Sequence, residues 1–492
     1  MKTLKKRMLC ISLTAVCALA LCGCMETVEP KGKPIDDESI PSEYSLINEK
    51  KLPVMRNAAD GMSDMTYALT GSAESNIITY DLSENKDIDL SENHLCYYSY
   101  MPETERKPET EGFFKSCDKA ELYENAPGFD TLVCNMANGI GLEYDSKVPM
   151  SENGAAASVQ KAAAMERYGI TEKYSGEFLL TDMSLLTDPE ASDGITDDEQ
   201  NNIKKKIMIC GGVYADILIV PDRVRAFGNE KTYYNDSFER KKGMSADKDT
   251  DHSIVIIGWD NNYPKENFSA GSKLPEKDGA WLCRCYDRSI AGESGSIWIS
   301  YEERSFLRTA ALDFDRYSYG KSIMRYDETG SHESIKNDGN EPTKAANIFS
   351  GANGKLNAVG ITTFADKQKV HIRVYKSPEP DKPDSGQLAA DTEVTVSYKG
   401  YHAIMIDSDV VLSENEKFSV IAEYENDGDI DSNIGKVPFE GNGTENAAVF
   451  SKSGESYIFR DGKWLDTSKA DTAKLFKKNV LNNCCIKALI GD

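Results

Sequence analysis

The sequence predicts a mixed α+β domain followed by an all-β sandwich, and three observations carry that expectation. A capping-box helix start, Thr196-Asp197-Asp198-Glu199, puts Ile203 and Ile207 on one face and leads through Gly211-Gly212 into an apolar strand from Val213 to Val220. The run Ile254 to Ile257 suits a strand buried on both faces. From about Tyr317 the pattern changes to a period of two. Lys369 to Tyr375 has apolar residues at even numbers, and Val394-Thr395-Val396 and Phe418-Ser419-Val420 repeat the alternation between Gly, Pro, Asn and Asp clusters. Short strands of that kind predict two packed antiparallel sheets.

The amino end comes first in chain order. Lys2, Lys5, Lys6 and Arg7 precede a mostly apolar stretch from Met8 to Ala20, and Leu21-Cys22-Gly23-Cys24 closes it with small residues. This resembles a bacterial lipobox, which implies cleavage before Cys24 and lipidation of its thiol. Two or more acyl chains hold a protein stably at a membrane. No later apolar run is long enough to span a bilayer, so the membrane is met through the lipid anchor only. The segment from Glu26 to Tyr44 holds Pro30, Pro34 and Pro41 with several acids, and is expected to be a flexible tether.

Charge excludes one class of partner. The 492 residues carry 81 acids against 57 bases, a formal charge of -24, and that field repels nucleic acid. Eight of the twelve cysteines lie beyond Cys24, at spacings that fit neither a zinc ribbon nor a compact disulfide framework, although one or two bridges suit an exported protein. Further along, Ala155 to Tyr168 is an alanine-rich helix stopped by Gly169.

Asp251-His252-Ser253-Ile254-Val255-Ile256-Ile257-Gly258-Trp259, followed by Gly279-Ala280-Trp281-Leu282-Cys283-Arg284-Cys285, resembles the histidine and asparagine segments of papain-like (C1) cysteine peptidases. Ser42 to Val54 is similar to the opening of the mature domain in bacterial members, Asp89 to Leu95 to a scaffold stretch in which His94 has a packing role, and Gly295 to Tyr301 to the closing strand. The resemblance implies a papain-like fold with His252 retained as the catalytic histidine. It also places Cys285 at the asparagine position and Tyr286-Asp287-Arg288 where the family has Ser-Trp-Gly, so the tryptophan that shields the pair from water is missing.

The nucleophile segment reads Asn57-Ala58-Ala59-Asp60-Gly61-Met62-Ser63-Asp64-Met65-Thr66-Tyr67-Ala68. Anchoring on Gly61 aligns Ser63 with the cysteine and Asn57 with the oxyanion-hole glutamine. Anchoring on Tyr67-Ala68 aligns Asp64 and Ala58 instead. Neither register supplies the thiolate that attacks in this chemistry. A serine hydroxyl is a far weaker acid, an aspartate would form an ion pair with His252, and Cys285 offers a weak sulfur acceptor in place of a side-chain carbonyl. Asn57 keeps an amide that could donate to an oxyanion. A metal site from His252, Cys283 and Cys285 is not required by their spacing, and no cofactor is expected.

In the last third, Tyr326-Asp327, Ala345 to Phe349, Gly400-Tyr401-His402 and Cys485 to Ala488 resemble the lectin-like module that follows the papain-like domain in clostridial-type exported peptidases. Tyr375, Tyr398, Tyr401 and Trp464 are candidates for stacking on cell-wall glycan, with core packing as the alternative. Asp427-Gly428-Asp429-Ile430-Asp431 lacks the glycine and distal glutamate of an EF-hand and is expected to be a solvated turn.

The expected organisation is a lipoprotein signal peptide over 1–24, a linker over 25–41, a papain-like domain over 42–315 and a lectin-like β-sandwich over 316–492. The expected function is that of a lipid-anchored protein on the extracellular face of the membrane, a non-catalytic peptidase homologue whose cleft binds a peptide, protein or wall ligand. Two rivals are an active peptidase using His252 with a substituted nucleophile, and a carbohydrate-binding surface protein.

Overall fold

The computed structural model describes residues 26–491 apart from 29–33, 57, 59–61, 100–112, 115–122, 125–126, 141, 188–193, 242, 269–272, 317–321, 352, 442–446 and 450. Cys24 and Asn57 therefore lie outside the described residues.

The front domain is organised by the helix Asp64–Thr79, in which every residue from Thr66 to Ile78 is buried. A helix enclosed on all sides has to satisfy its polar side chains inside the protein. Most of them bond to neighbours, with Ser72 Oγ an exception. Asn76 donates to Cys210 O at 2.8 Å and to Asp313 Oδ1 at 3.0 Å, and accepts from Phe314 N at 2.9 Å. Ser75 Oγ accepts from Gly212 N at 2.9 Å and donates to Lys51 O at 3.0 Å. Gly71 leaves room for Tyr286, whose hydroxyl a Cβ there would strike.

Around this helix runs a long, mainly antiparallel sheet. Its front part orders Val224–Phe227, Glu230–Tyr233, Ser296–Ser300, Ala280–Cys285, His252–Asp260, Val213–Ile217, Phe306–Arg316 and Phe178–Leu185. The helix Asp197–Cys210 has the anticipated capping box, with Glu199 N donating to Thr196 Oγ1 at 3.3 Å and Thr196 N to Glu199 Oε2 at 2.8 Å. Ile203 and Ile207 are fully buried on its inner side.

The second domain is a sandwich. One face orders Gln387–Val396, Lys369–Lys376, Lys417–Tyr424, Thr343–Ser350, Ser456–Arg460 and Lys463–Asp466. Val370, Ile372 and Val374 point into its core, as the period of two predicts. The opposing face is built on Gly354–Thr363, Gly400–Met405 and Ile486–Gly491.

Two features differ from the sequence expectation. Strand Gly400–Met405 pairs with Phe178–Leu185, matching Gly400 with Ser184, Tyr401 with Met183 and His402 with Asp182, so both domains share one continuous sheet. At this seam His402 Nδ1 lies 2.6 Å from Asp182 Oδ2. The segment expected to be a flexible tether also contains structure. Glu26–Val28 pairs in parallel with Val394–Val396 at the sandwich edge, and Trp259 Nε1 donates to Pro41 O at 3.0 Å. Free backbone donors on an edge strand recruit an extended segment whatever its composition.

Gly400 sits at φ 142°, and a Cβ would collide with Met183 O across the seam. Gly400→Ala is expected to destabilise the protein by about 1–3 kcal/mol. A lowered chemical-denaturation midpoint is the predicted readout, and an unchanged midpoint would show that the seam tolerates separation.

Candidate functional site

The site forms where the buried helix begins. Ser63, at φ −62° and ψ 129°, is its N-cap, and its hydroxyl accepts from Met65 N at 3.3 Å. Asp64 is the first helical residue, and its Oδ2 lies 3.1 Å from His252 Nδ1. His252 opens the strand His252–Asp260, where main-chain pairing with Ile217 holds it. Behind it Ser253 Oγ donates to Asp216 at 2.7 Å, and Arg308 clamps Asp216 at 2.7 Å and Asp247 at 2.8 Å.

The electrostatics follow from burial and partners. Burial raises the Asp64 carboxyl above its ordinary pKa, opposed by the bond and charge of His252 and by the backbone N–H of Ser253. For His252, burial works against the charged ring, but the Asp64 hydrogen bond and the charges of Asp64, Asp251 and Asp287 outweigh it, so its pKa is raised. The favourable end of the helix dipole also supports a carboxylate at Asp64. The two side chains thus bridge the head of the helix, with the carboxylate, when ionised, favouring the protonated ring.

A cleft of about 760 Å³ opens over this pair, lined by Ala58, Met62, Ser63, Met65, Asp251 and Asp287 among others. His252 Nε2 faces Asp251 Oδ1 at 3.9 Å. Asp287 occupies the position where the family resemblance places a shielding tryptophan. It caps the short helix Arg288–Ala291 by accepting from Ser289 N at 2.7 Å. Charge replaces cover at that point. Ala58, beside Asn57, bonds through its backbone to Tyr286 O at 2.9 Å and brings no side-chain donor.

Cys285 stands apart from this chemistry. It is fully buried in strand Ala280–Cys285, pairs with Ile254, and its Sγ is 3.8 Å from Asp287 O. Burial pushes its thiol well above the ordinary range, and the same holds for Cys283. Among the described residues no group of His, Cys, Asp and Glu side chains is arranged to hold a metal.

The remaining sequence candidates are placed as follows. His94 is fully buried with Nε2 2.9 Å from Glu172 O, and burial pushes its imidazole down to about 4. Seven cysteines, Cys96, Cys134, Cys210, Cys283, Cys285, Cys484 and Cys485, are buried free thiols, so the bridges that suited an exported protein are absent among the described residues. Tyr401 is buried at the seam, which removes it from any sugar-stacking set, while Trp464 packs edge-on against Phe459. The turn Asp427 to Asp431 is occupied by an internal cation. Lys336 Nζ bonds Asp427 Oδ1 at 2.8 Å and Asp429 O, and approaches Ser432 O at 3.4 Å.

Sequence reasoning missed Asp251 and Asp287 as site residues. Asp251 directly precedes the strand His252–Asp260 and Asp287 follows the strand Ala280–Cys285, so each lies in the chain just outside a strand end beside the cleft.

This architecture defines a class: a papain-like protease fold followed by a lectin-like domain. Residues 323–490 match the family described as lectin like domain. The chain is similar to the structure of the clostridial cysteine protease Cwp84 after propeptide cleavage, with a TM-score of 0.70 and 18% identity over 92% of this chain and 100% of that one. It is also similar to the cysteine protease and lectin-like domains of Cwp84, a surface layer associated protein of Clostridium difficile, at TM-score 0.68 and 18% identity over 95% and 93%. At that identity the likeness establishes the fold. No curated protein sequence matches the chain.

Asp64→Asn is expected to lower the His252 pKa, because burial then acts without the carboxylate that opposes it. NMR titration of the imidazole measures this directly. The folded His252 pKa exceeds the unfolded one, so the histidine's contribution is complete below about pH 6.5 and fades as pH rises through the folded value, while protonation of Asp64, whose own pKa is raised, removes the ion pair at the acid end. The variant should lose that dependence.

Proposed function

We propose that this protein is a non-catalytic relative of papain-like peptidases, held on the outer face of the membrane through lipidated Cys24, with a cleft that binds a peptide, protein or wall component. The observation that carries the reading is the carboxylate of Asp64, in place of a thiol, against His252 Nδ1 at the head of the buried helix. A papain-type reaction needs a nucleophile that gives its proton to this imidazole and then attacks. Asp64 has no proton to give while it is ionised, and its charge favours the protonated imidazole over the neutral ring that could act as a base.

Among the described residues the imidazole's hydrogen bond goes to Asp64, not to the alternative nucleophiles Ser63 and Cys285. Ser63 is engaged as a helix cap, and Cys285 is a buried thiol of raised pKa outside the cleft lining. Surface location draws support from the lipobox-like Leu21-Cys22-Gly23-Cys24 and from the surface-layer association of Cwp84. Glycan binding by the sandwich is the weaker reading, since Tyr401 is buried.

Purified mature protein is expected to leave broad peptide libraries uncut and to escape labelling by a papain-type epoxide probe; turnover that disappears in His252→Ala would refute the reading. Restoring the family residues as Asp64→Cys with Cys285→Asn is expected to produce epoxide labelling, whereas Ser63→Cys with Cys285→Asn should not. For the anchor, metabolic incorporation of labelled palmitate should occur in the full chain and vanish in Cys24→Ala.

A further inference from the structure

The cleft is unusual in its charge balance. Its lining carries five carboxylates, from Asp64, Glu124, Asp247, Asp251 and Asp287, against one imidazole and one guanidinium, His252 and Arg288. Two of the acids are already balanced. His252 neutralises Asp64, and Arg308 reaches Asp247 from behind the strand.

Asp251 and Asp287 are in a different position. Asp251 accepts from Ile219 N at 2.8 Å, its side chain is 44% exposed, and its nearest cationic atom is His252 Nε2 at 3.9 Å, on a ring already bonded to Asp64. Asp287 accepts only a backbone N–H from Ser289. Among the described residues neither has a lysine or arginine within ion-pair distance. Both act on the imidazole through their charge, and the lining as a whole keeps more carboxylates than cations even with Arg288 and His252 counted. Groove walls of low polarisability, here Ala58, Met62 and Met65, focus such a field and weaken its screening.

We propose that the occupant of this cleft is a cationic peptide segment, one whose lysine or arginine side chains are received by Asp251 and Asp287 on either side of the Asp64–His252 pair. The inference rests on the cleft being a peptide groove, and it specifies what that groove selects. Salt dependence follows from the same chemistry, because partly exposed carboxylates are screened over about 8–10 Å at physiological ionic strength. The formal charge of -24 is a competing source of attraction for any cation. The test must therefore separate the cleft from the rest of the surface.

Binding of three peptides of equal length, Lys/Arg-rich, neutral and Asp/Glu-rich, is measured by calorimetry on the mature chain. The Lys/Arg-rich peptide is expected to bind at least about tenfold tighter than the Asp/Glu-rich one, with the gap closing as salt rises. Asp251→Asn and Asp287→Asn should each weaken it about threefold. The same charge removal on the exposed surface of the sandwich, by Asp461→Asn or Asp471→Asn, should change nothing. Addition of the cationic peptide should also shift the His252 imidazole resonance, which locates it in the cleft. Equal weakening by both pairs of variants, or tight binding without a shift at His252, overturns the proposal and assigns the attraction to net charge. Binding of all three peptides with the same affinity overturns it while leaving the groove reading intact. If no peptide binds, both fall.

Discussion

A carboxylate bonded to an imidazole across the end of a buried helix is the constraint around which this molecule is arranged. Asp64 and His252 lie far apart in the chain, and their approach at 3.1 Å requires the helix Asp64–Thr79 to run through the interior with its first turn level with the start of the histidine strand. Enclosing a helix in this way leaves no solvent to satisfy Ser75, Asn76, Glu74 or Thr70. Each is met by a specific partner, and Glu74, bonded by Arg56 and by Leu90 N, is still pushed up to about 8 by burial. The polar contacts therefore fix the helix in depth and rotation, and rotation decides which side chain faces the imidazole.

The same geometry underlies the proposal that this scaffold binds a ligand and does not cleave it. The helix amino end stabilises negative charge, which in a thiol enzyme favours the thiolate. Here that stabilisation is taken up by the Asp64 carboxyl group. The cleft itself persists because its walls are sheet and helix, whose packing does not depend on the reacting atoms. What changes is its chemistry, from an apolar cover over the imidazole to an acidic rim at Asp287 and Asp251.

The two domains are joined by more than a linker. One sheet crosses from Phe178–Leu185 to Gly400–Met405, and the seam buries charged groups from both sides. His402 meets Asp182, while Lys487 of the sandwich pairs with Asp327 beside Cys134 of the front domain. Buried charges of this sort cost desolvation and tolerate little displacement of either partner. Local sequence signals could not anticipate this, since His402 and Asp182 look like an exposed histidine and an exposed acid in period-two strands until the strands are paired.

Much of the fold was legible because it depends on local chemistry. The capping box at Thr196, the buried apolar run from Ile254 and the alternation at Lys369 to Tyr375 each predict an element from neighbouring residues, and those elements are present. The site was legible in part. Loss of the thiol and of the shielding tryptophan can be read from residue identities alone, whichever register applies. What residue identities leave open is whether Ser63 or Asp64 faces His252, because both are good helix caps and a shift of one residue turns a side chain by about 100° around the axis. Tertiary packing made that choice: with Ser63 outside the helix as its cap, Asp64 is carried round to the imidazole and meets it at 3.1 Å in the lining of the cleft.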